Sequence, residues 1–201
     1  QRRRRRRDAS IPAYPVAPTP VITLDPPPRR HKANHNYRDF SQVPPPPDVV
    51  SVLDQATLLA CPESQVANSL TFPQQVHWAL AHPVYGQSLE WQPHGRAFRV
   101  TNPQWLRMRG AYTHLFQAKS YAVFICLLQS WGFQHITHGP DRNAWYHELF
   151  LQGLPHLTCY FPSPKNSRRL VPDPLREPNL AAISQKFPLP ALLEENQIQP
   201  R

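Results

Sequence analysis

The chain has 201 residues, enough for one or two domains, and 26 of them are proline. Its formal net charge of +9 favours an anionic partner, although six of the positive charges lie in the single run Arg2–Arg7. The three cysteines are odd in number and widely spaced, which argues against a disulfide framework and favours a reducing compartment. No apolar stretch approaches the roughly 18 residues of a membrane-spanning helix, so the sequence predicts no membrane association.

Both ends of the chain are predicted to be disordered tails. Residues 1–65 combine the arginine run with polyproline at Pro26–Pro28 and Pro44–Pro47, and both features favour extended, solvated chain. Residues 166–201 are again rich in proline, and such a segment does not bury enough apolar surface to fold alone. Inside the first tail, the apolar spacing of 49–59 allows a short helix. The arginine run is either a solvated tail or a nuclear-import or phosphate-binding signal.

Between the tails, residues 70–165 are predicted to form one globular domain. An amphipathic helix over Phe72–Ala81 has proline at its second residue, where a helix does not need the missing N–H. Two short strands follow, Ser88–Trp91 and Ala97–Val100, on either side of a Pro-His-Gly turn. A second short helix is predicted over about Pro103–Met108, again with proline at its start.

The second half of this domain is predicted to contain a longer helix and two more strands. The apolar run Ser120–Ser130 is too long for an ordinary strand, and Ser120 and Gly132 suit the start and the end of a helix. Phe133–Thr137 alternates as a strand should, and Ala144–His147 is the returning strand after a turn. The order of helices and strands indicates an α+β fold and not a parallel doubly wound sheet.

The helix Ser120–Ser130 is apolar on both of its faces. A surface helix should be polar on its outer side. Either this helix is buried all round, or its outer face meets a partner. One stripe consists of Tyr121, Phe124, Leu128 and Trp131, and the opposite face of Val123, Cys126, Leu127 and Ser130.

Four spaced motifs occur in order along this domain. They are Phe72-Pro73 with His77, Trp91-x-Pro-His-Gly-Arg-Ala-Phe-Arg-Val100, Phe124-x-x-x-Leu128-x-x-Trp-Gly-Phe133 and Trp145-Tyr-His-Glu-Leu-Phe150. Together they resemble the DNA-binding domain of the heat shock factor (HSF) family, and their form is similar to that of the diatom and algal members. The resemblance covers about residues 70–165.

The resemblance implies a winged helix-turn-helix with three helices and a small four-stranded antiparallel sheet. It implies that Ser120–Ser130 is the recognition helix and enters the major groove of double-stranded DNA. It also implies a transcription regulator that acts in the nucleus, in a family associated with the stress response. The family reads inverted repeats of a GAA-type half-site as a trimer.

The sequence departs from the family at the recognition helix. Cys126 occupies the position of the family's base-reading arginine, and a thiol cannot make the bidentate contact to guanine that an arginine makes. Val123 stands where the family usually has a small hydroxyl residue. We therefore expect a sequence preference that is weak or different from that of the family. Residues 162–201 contain eight prolines and no heptad repeat, so trimerisation through a following coiled coil is not predicted.

The candidate DNA-binding residues follow from the resemblance and from the positions of basic side chains. Val123 and Leu127 are candidates for contact with thymine methyl groups, and Gln129 for contact with an adenine edge. Lys119 is the best phosphate candidate, because it lies at the start of the recognition helix. The full set is Lys119, Ser120, Val123, Cys126, Leu127, Gln129, Ser130, Arg96, Arg99, Arg168 and Arg169.

Other interpretations remain open at this stage. The recognition face can be decayed, or the domain can be a degenerate winged helix that acts as a protein-interaction module through its apolar helix face. The sequence has no nucleophile elbow, phosphate loop or paired carboxylates, so it predicts no enzyme, no catalytic residue, no cofactor and no small-molecule substrate. The histidines lack the short fixed spacing of a metal site. The aromatic residues are predicted to form the core.

Overall fold

The computed structural model describes residues 32–33, 35–45, 60–165 and 171–190. The arginine run, the helix predicted over 49–59, Arg168 and Arg169 lie outside the described residues. Within those ranges, no helix combines the length and the apolar character needed to cross a membrane.

The α-helices begin at short local signals in the sequence. Helix α2, Phe72–Ala81, starts with a capping box, in which the Thr71 N–H donates to the Gln74 side chain at 2.8 Å. Asn102 caps α3, Pro103–Met108, and Ser120 caps α5, Tyr121–Ser130, because their side-chain oxygens accept N–H groups of the first turn. The helices are α1 Glu63–Ser69, α2 Phe72–Ala81, α3 Pro103–Met108, α4 Ala111–His114, α5 Tyr121–Ser130 and α6 Leu180–Lys186.

Four antiparallel strands form one sheet in the order β1-β2-β4-β3. The strands are β1 Leu89–Trp91, β2 Phe98–Val100, β3 Gln134–His135 and β4 Ala144–Tyr146, and each is slightly shorter than predicted. The chain between β3 and β4, residues 136–143, is the wing. Helices α2, α3 and α5 with this sheet make a winged helix-turn-helix, so the predicted α+β fold class is confirmed.

The core contains aromatic rings from both the helices and the sheet. The Phe124 ring of α5 contacts the rings of Phe72 and Phe116, at centroid separations of 5.6 and 4.9 Å. The Phe98 ring of β2 contacts the Phe150 ring at 5.4 Å. Tilted and edge-to-face pairs of this kind stabilise a core beyond the area that they bury. The prediction of an aromatic core is confirmed, and all five tryptophans belong to it or pack against it: Trp78, Trp91, Trp105, Trp131 and Trp145.

An N-terminal arm, residues 32–33 and 35–45, packs against the domain. His35 Nδ1 and the Tyr146 hydroxyl are 2.9 Å apart in a buried hydrogen bond. Further along the arm, the Val43 carbonyl oxygen lies 3.0 Å from His156 Nε2. This arm lies within the tail predicted over residues 1–65, and its polar groups find partners on the folded domain.

A C-terminal arm, residues 171–190, also packs against the domain. The Glu177 carboxylate accepts the N–H and O–H of Thr137 and the N–H of His138, at 2.8, 2.6 and 3.0 Å. The Leu180 and Leu189 side chains are fully buried. This arm lies within the tail predicted over residues 166–201, and it contacts the folded domain. Proline limits regular backbone pairing where it occurs, but it does not prevent a segment from packing against an existing core.

Arg96 connects both arms to the domain. Its guanidinium Nη1 donates to the Tyr37 hydroxyl and to the Asp39 carboxylate, both at 2.8 Å, and Nη2 donates to the Phe187 carbonyl oxygen at 2.5 Å. Burial alone would raise the pKa of the Asp39 carboxyl, but hydrogen bonds from Arg96 and Ser41 outweigh burial and hold this pKa below its usual value. The Arg96 side chain is 0% exposed, so its charge depends on these partners.

We expect Arg96→Met to lower the free energy of unfolding by about 3–5 kcal/mol, because removing one partner of a buried ion pair leaves the other charge uncompensated. Urea denaturation followed by tryptophan fluorescence measures the change. Arg107→Met is the matched control, since Arg107 is exposed and its replacement should change the free energy by at most about 0.5 kcal/mol. Equal effects of the two substitutions would contradict the role given to Arg96.

Candidate nucleic-acid interface

Helix α5 is anchored on one side and open on the other. Phe124 and Leu128 are 0% exposed, whereas Tyr121 and Val123 are 39% and 38% exposed, and Cys126 is also exposed. The helix is therefore not buried all round. Its outer face, defined as Tyr121, Ala122, Val123 and Cys126, is available to a partner.

The outer face is uncharged and lies on a well-formed helix. No residue of Tyr121–Ser130 carries a charge at neutral pH. The Ser120 hydroxyl accepts the Val123 N–H at 3.4 Å, which holds the first turn of α5. Charged groups that contact a polyanion must therefore come from the ends of α5 and from neighbouring elements.

Three of the predicted recognition residues, Leu127, Gln129 and Ser130, are only partly exposed. Leu127 is half-buried and packs against the core. The Ser130 hydroxyl donates to the Leu127 carbonyl oxygen at 2.8 Å, within the last turn of the helix. Gln129 is also half-buried, and it lines a groove beside the outer face. Of the predicted base-reading positions, Val123 and Cys126 are the most exposed.

The N-terminal end of α5 brings two basic residues together. Lys119 is exposed and directly precedes the cap residue Ser120. Lys119 and Arg107 line the same concave surface of about 530 Å³ between α3 and α5. The unpaired N–H groups and the helix dipole also favour an anion at this end. The sequence alone does not show that α3 brings Arg107 to the start of α5.

The C-terminal end of α5 is also next to a basic residue. The Lys165 N–H donates to the Ser130 carbonyl oxygen at 2.9 Å, which fixes the chain at that point, and the Lys165 side chain is exposed. The ends of α5 thus have Lys119 and Arg107 on one side and Lys165 on the other. Cations therefore lie at both ends of the uncharged outer face.

The structure corrects the prediction that Arg96 contacts phosphate. Its guanidinium is buried and bonded to both arms, so it cannot reach DNA without unfolding them. Arg99 is half-buried, and its Nη2 donates to the Gln92 side chain and to the Pro140 carbonyl oxygen, both at 3.3 Å. Arg99 is therefore a weaker phosphate candidate than Lys119.

A groove of about 480 Å³ runs beside the outer face of α5. Tyr121, Ile125 and Gln129 form one wall, and Ala33 and Pro172 of the two arms lie on the groove as well. Its remaining lining includes the polar side chains of Gln134, His135 and Asn143. Burial lowers the pKa of His135, which favours its neutral form, and its ring packs on that of Trp145 with the centroids 4.8 Å apart.

The buried histidines of the domain serve the fold. His77 lies 3.1 Å from the Leu151 carbonyl oxygen, and burial lowers its pKa to about 4. Burial also lowers the pKa of His147 to about 4, and its ring stacks on Phe161 at 4.0 Å. In the part of the chain that the structure describes, no group of three or more His, Cys, Asp or Glu residues is arranged to hold a metal ion.

The helices and the sheet that form this site fall within a match to a known protein family. Residues 72–162 match the HSF-type DNA-binding family. The match begins at the first residue of α2 and includes α5, the sheet and the wing. Both arms lie outside it, and it covers a little under half of the chain.

The chain is also similar to solved structures. One is Chaetomium thermophilum Skn7 with SSRE DNA, with 20% identity over 49% of this chain and 97% of that chain and a TM-score of 0.38. Another is Chaetomium thermophilum Skn7 with HSE DNA, with 22% identity over 41% of this chain and 87% of that chain and a TM-score of 0.36. No curated protein sequence matches the chain.

Substitutions on α5 separate the anchoring side from the outer face. We expect Leu128→Ala to lower the free energy of unfolding by about 2–5 kcal/mol, because it leaves a cavity in the core. Val123→Ala should change it by no more than about 0.5 kcal/mol, because this side chain is partly in solvent. Urea denaturation of both variants checks the expectation. A large loss for Val123→Ala would contradict an accessible outer face.

Proposed function

We propose that this protein is a DNA-binding transcription regulator that acts in the nucleus and docks α5 in the major groove of double-stranded DNA. The observation that carries the proposal is the exposed outer face of α5 within a domain that matches the HSF-type DNA-binding family. A helix of this size and exposure fits the major groove, which is the docking geometry of helix-turn-helix proteins. The motifs quoted above further suggest a relationship to the diatom and algal members.

Affinity comes mainly from phosphate contacts. In this proposal, the DNA backbone is contacted by Lys119 and Arg107 at one end of α5 and by Lys165 at the other end. Arg168 and Arg169 follow Lys165 closely in the sequence and add to this set. Each phosphate neutralised releases counterions, so binding weakens steeply as salt rises.

Base recognition is weak or altered relative to the family. The exposed position at the centre of the outer face holds Cys126, which offers no bidentate hydrogen bonds to guanine. Val123 can contact a thymine methyl group, and Gln129 can reach an adenine edge from the groove. Residues 162–201 contain no heptad repeat, so we do not attribute a trimer to them.

A protein-interaction module is the second candidate function. It is favoured by the uncharged, largely apolar outer face, since exposed apolar patches often mark sites of protein association. The cations at both ends of α5 favour DNA instead, because a protein-docking face has no general need for them. Binding measurements separate the two functions.

The direct test is fluorescence anisotropy of the full chain with two labelled duplexes at two salt concentrations. One duplex carries inverted GAA-type repeats, and the other has the same bases in scrambled order. We expect similar affinity for both duplexes and a steep loss with salt, because phosphate contacts dominate. Failure to bind either duplex at low salt would overturn the proposal and favour the protein-interaction module.

In the same assay, Cys126→Arg should create a preference for the repeat duplex. One bidentate contact contributes about 1–3 kcal/mol of base discrimination, or roughly tenfold to over a hundredfold in the ratio of the two Kd values. Cys159→Arg is the matched control, since it adds the same charge at another exposed cysteine. We expect no change in that ratio for the control. Equal ratios for the two variants would contradict the placement of Cys126 against the bases.

A further inference from the structure

A short exposed segment of the chain runs between two anchor points and ends beside α5. At its start, the Phe161 ring stacks on the His147 ring with the centroids 4.0 Å apart. At its end, the Lys165 N–H donates to the Ser130 carbonyl oxygen at the C-terminal end of α5, at 2.9 Å. We call the residues between these anchors, Pro162-Ser163-Pro164, the bridge segment.

The bridge segment presents a serine hydroxyl in exposed, extended chain. All three of its residues are exposed. The backbone of Phe161, with φ −61° and ψ 133°, enters the segment in an extended conformation. A proline disfavours helical backbone at the residue before it, so Pro164 favours extended backbone at Ser163 as well. An exposed, extended segment of this kind can enter the active site of a protein kinase, where the hydroxyl must align with the γ-phosphate of ATP.

The residue after Ser163 selects one class of kinase. Proline-directed kinases act on a serine or threonine that is followed by proline, a residue without a backbone N–H. Ser163-Pro164 is the only Ser-Pro pair in the chain, and Thr19-Pro20 is the only Thr-Pro pair. Since Thr19 lies outside the described residues, the signal singles out one hydroxyl of the folded domain.

A phosphate on Ser163 would lie in the sequence next to the basic residues at the end of α5. Lys165 is two residues away and exposed, and Arg168 and Arg169 follow it. A phosphoserine carries a charge of about −1.5 to −2 at neutral pH and three acceptor oxygens. It would pair with these cations within the chain and repel the phosphates of DNA. Phosphorylation at this position therefore opposes DNA contact at the C-terminal end of α5.

We propose that Ser163 is a phosphorylation site for a proline-directed kinase, and that its phosphate removes the contact of Lys165 with the DNA backbone. The Ser163 Oγ attacks the γ-phosphorus of MgATP, and an Oγ–P bond forms as the bond from that phosphorus to the β,γ-bridging oxygen breaks. ADP leaves, and the hydroxyl proton passes to the catalytic aspartate of the kinase. The effect on DNA binding rests on the proposed function, whereas the modification itself does not depend on it.

The first test treats the full chain with MgATP and a mitogen-activated protein kinase, and locates the phosphate by mass spectrometry after proteolysis. We expect phosphorylation at Ser163 in the wild-type chain and its loss in Pro164→Ala, which keeps the hydroxyl and removes only the proline. An unmodified Ser163, under conditions in which a Ser-Pro peptide is phosphorylated, overturns the inference. Modification of Pro164→Ala at the wild-type rate overturns the assignment to this class of kinase.

The second test compares the phosphorylated and the unmodified chain by anisotropy on the scrambled duplex over a range of salt concentrations. Loss of the Lys165 contact should lower the slope of log Kd against log salt by about 1 and weaken binding about tenfold at ~0.1 M salt. Kinase-treated Ser163→Ala is the matched control, because it receives any phosphate added at other residues but none at position 163. It should keep the Kd and the slope of the untreated chain.

The outcomes separate this inference from the function on which it rests. Weaker and less salt-dependent binding by the phosphorylated wild-type chain alone supports the inference. Unchanged binding by a fully phosphorylated chain, or an equal loss in kinase-treated Ser163→Ala, overturns the regulatory role and leaves the proposed function in place. Absence of binding by the unmodified chain at low salt overturns the proposed function and the regulatory role together, while the phosphorylation assay still decides whether Ser163 is a kinase site.

Discussion

The structure depends above all on the one-sided anchoring of α5. Phe124 and Leu128 are fully buried among the aromatic rings of the core, and their burial fixes the rotation of the helix about its axis. Because residues at these positions face inward, Val123 and Cys126 must face outward. The exposure of an apolar helix face is thus a consequence of core packing. The buried side of α5 supplies the free energy that holds the exposed side in position.

The buried charge of Arg96 holds the two arms against the domain. The guanidinium of Arg96 cannot be desolvated without partners, and it finds them in Asp39 and Phe187, one on each arm. This requirement brings two proline-rich segments onto a domain that already has its own core. As a result, the groove beside α5 has walls from three parts of the chain. The folded unit is therefore larger than the residues 72–162 that match the family.

Local sequence signals predicted the domain but not its surroundings. The prolines at the start of α2 and α3, the Ser120 cap and the alternation in the strands depend on neighbouring residues, and these elements appear where expected. Arg96 could not be assigned correctly, because its partner Asp39 is 57 residues away and charge alone does not reveal burial. The packing of the arms was not predicted for a similar reason. A high proline content indicates that a segment forms little regular structure by itself, and it does not reveal contacts with residues far away in the sequence. Cys126 was singled out from the resemblance, whereas its exposure, which the sequence left open, follows from how the helix packs.

The most direct measurement of the central claim is the alkylation rate of the Cys126 thiol by a maleimide, with and without saturating DNA. Mass spectrometry after proteolysis resolves Cys126 from Cys159, which is also exposed and serves as the internal reference. If α5 docks in the major groove, DNA should strongly slow alkylation of Cys126 and leave the rate at Cys159 unchanged. An unchanged rate at Cys126 in a chain that is fully bound to DNA would show that the outer face of α5 does not contact it.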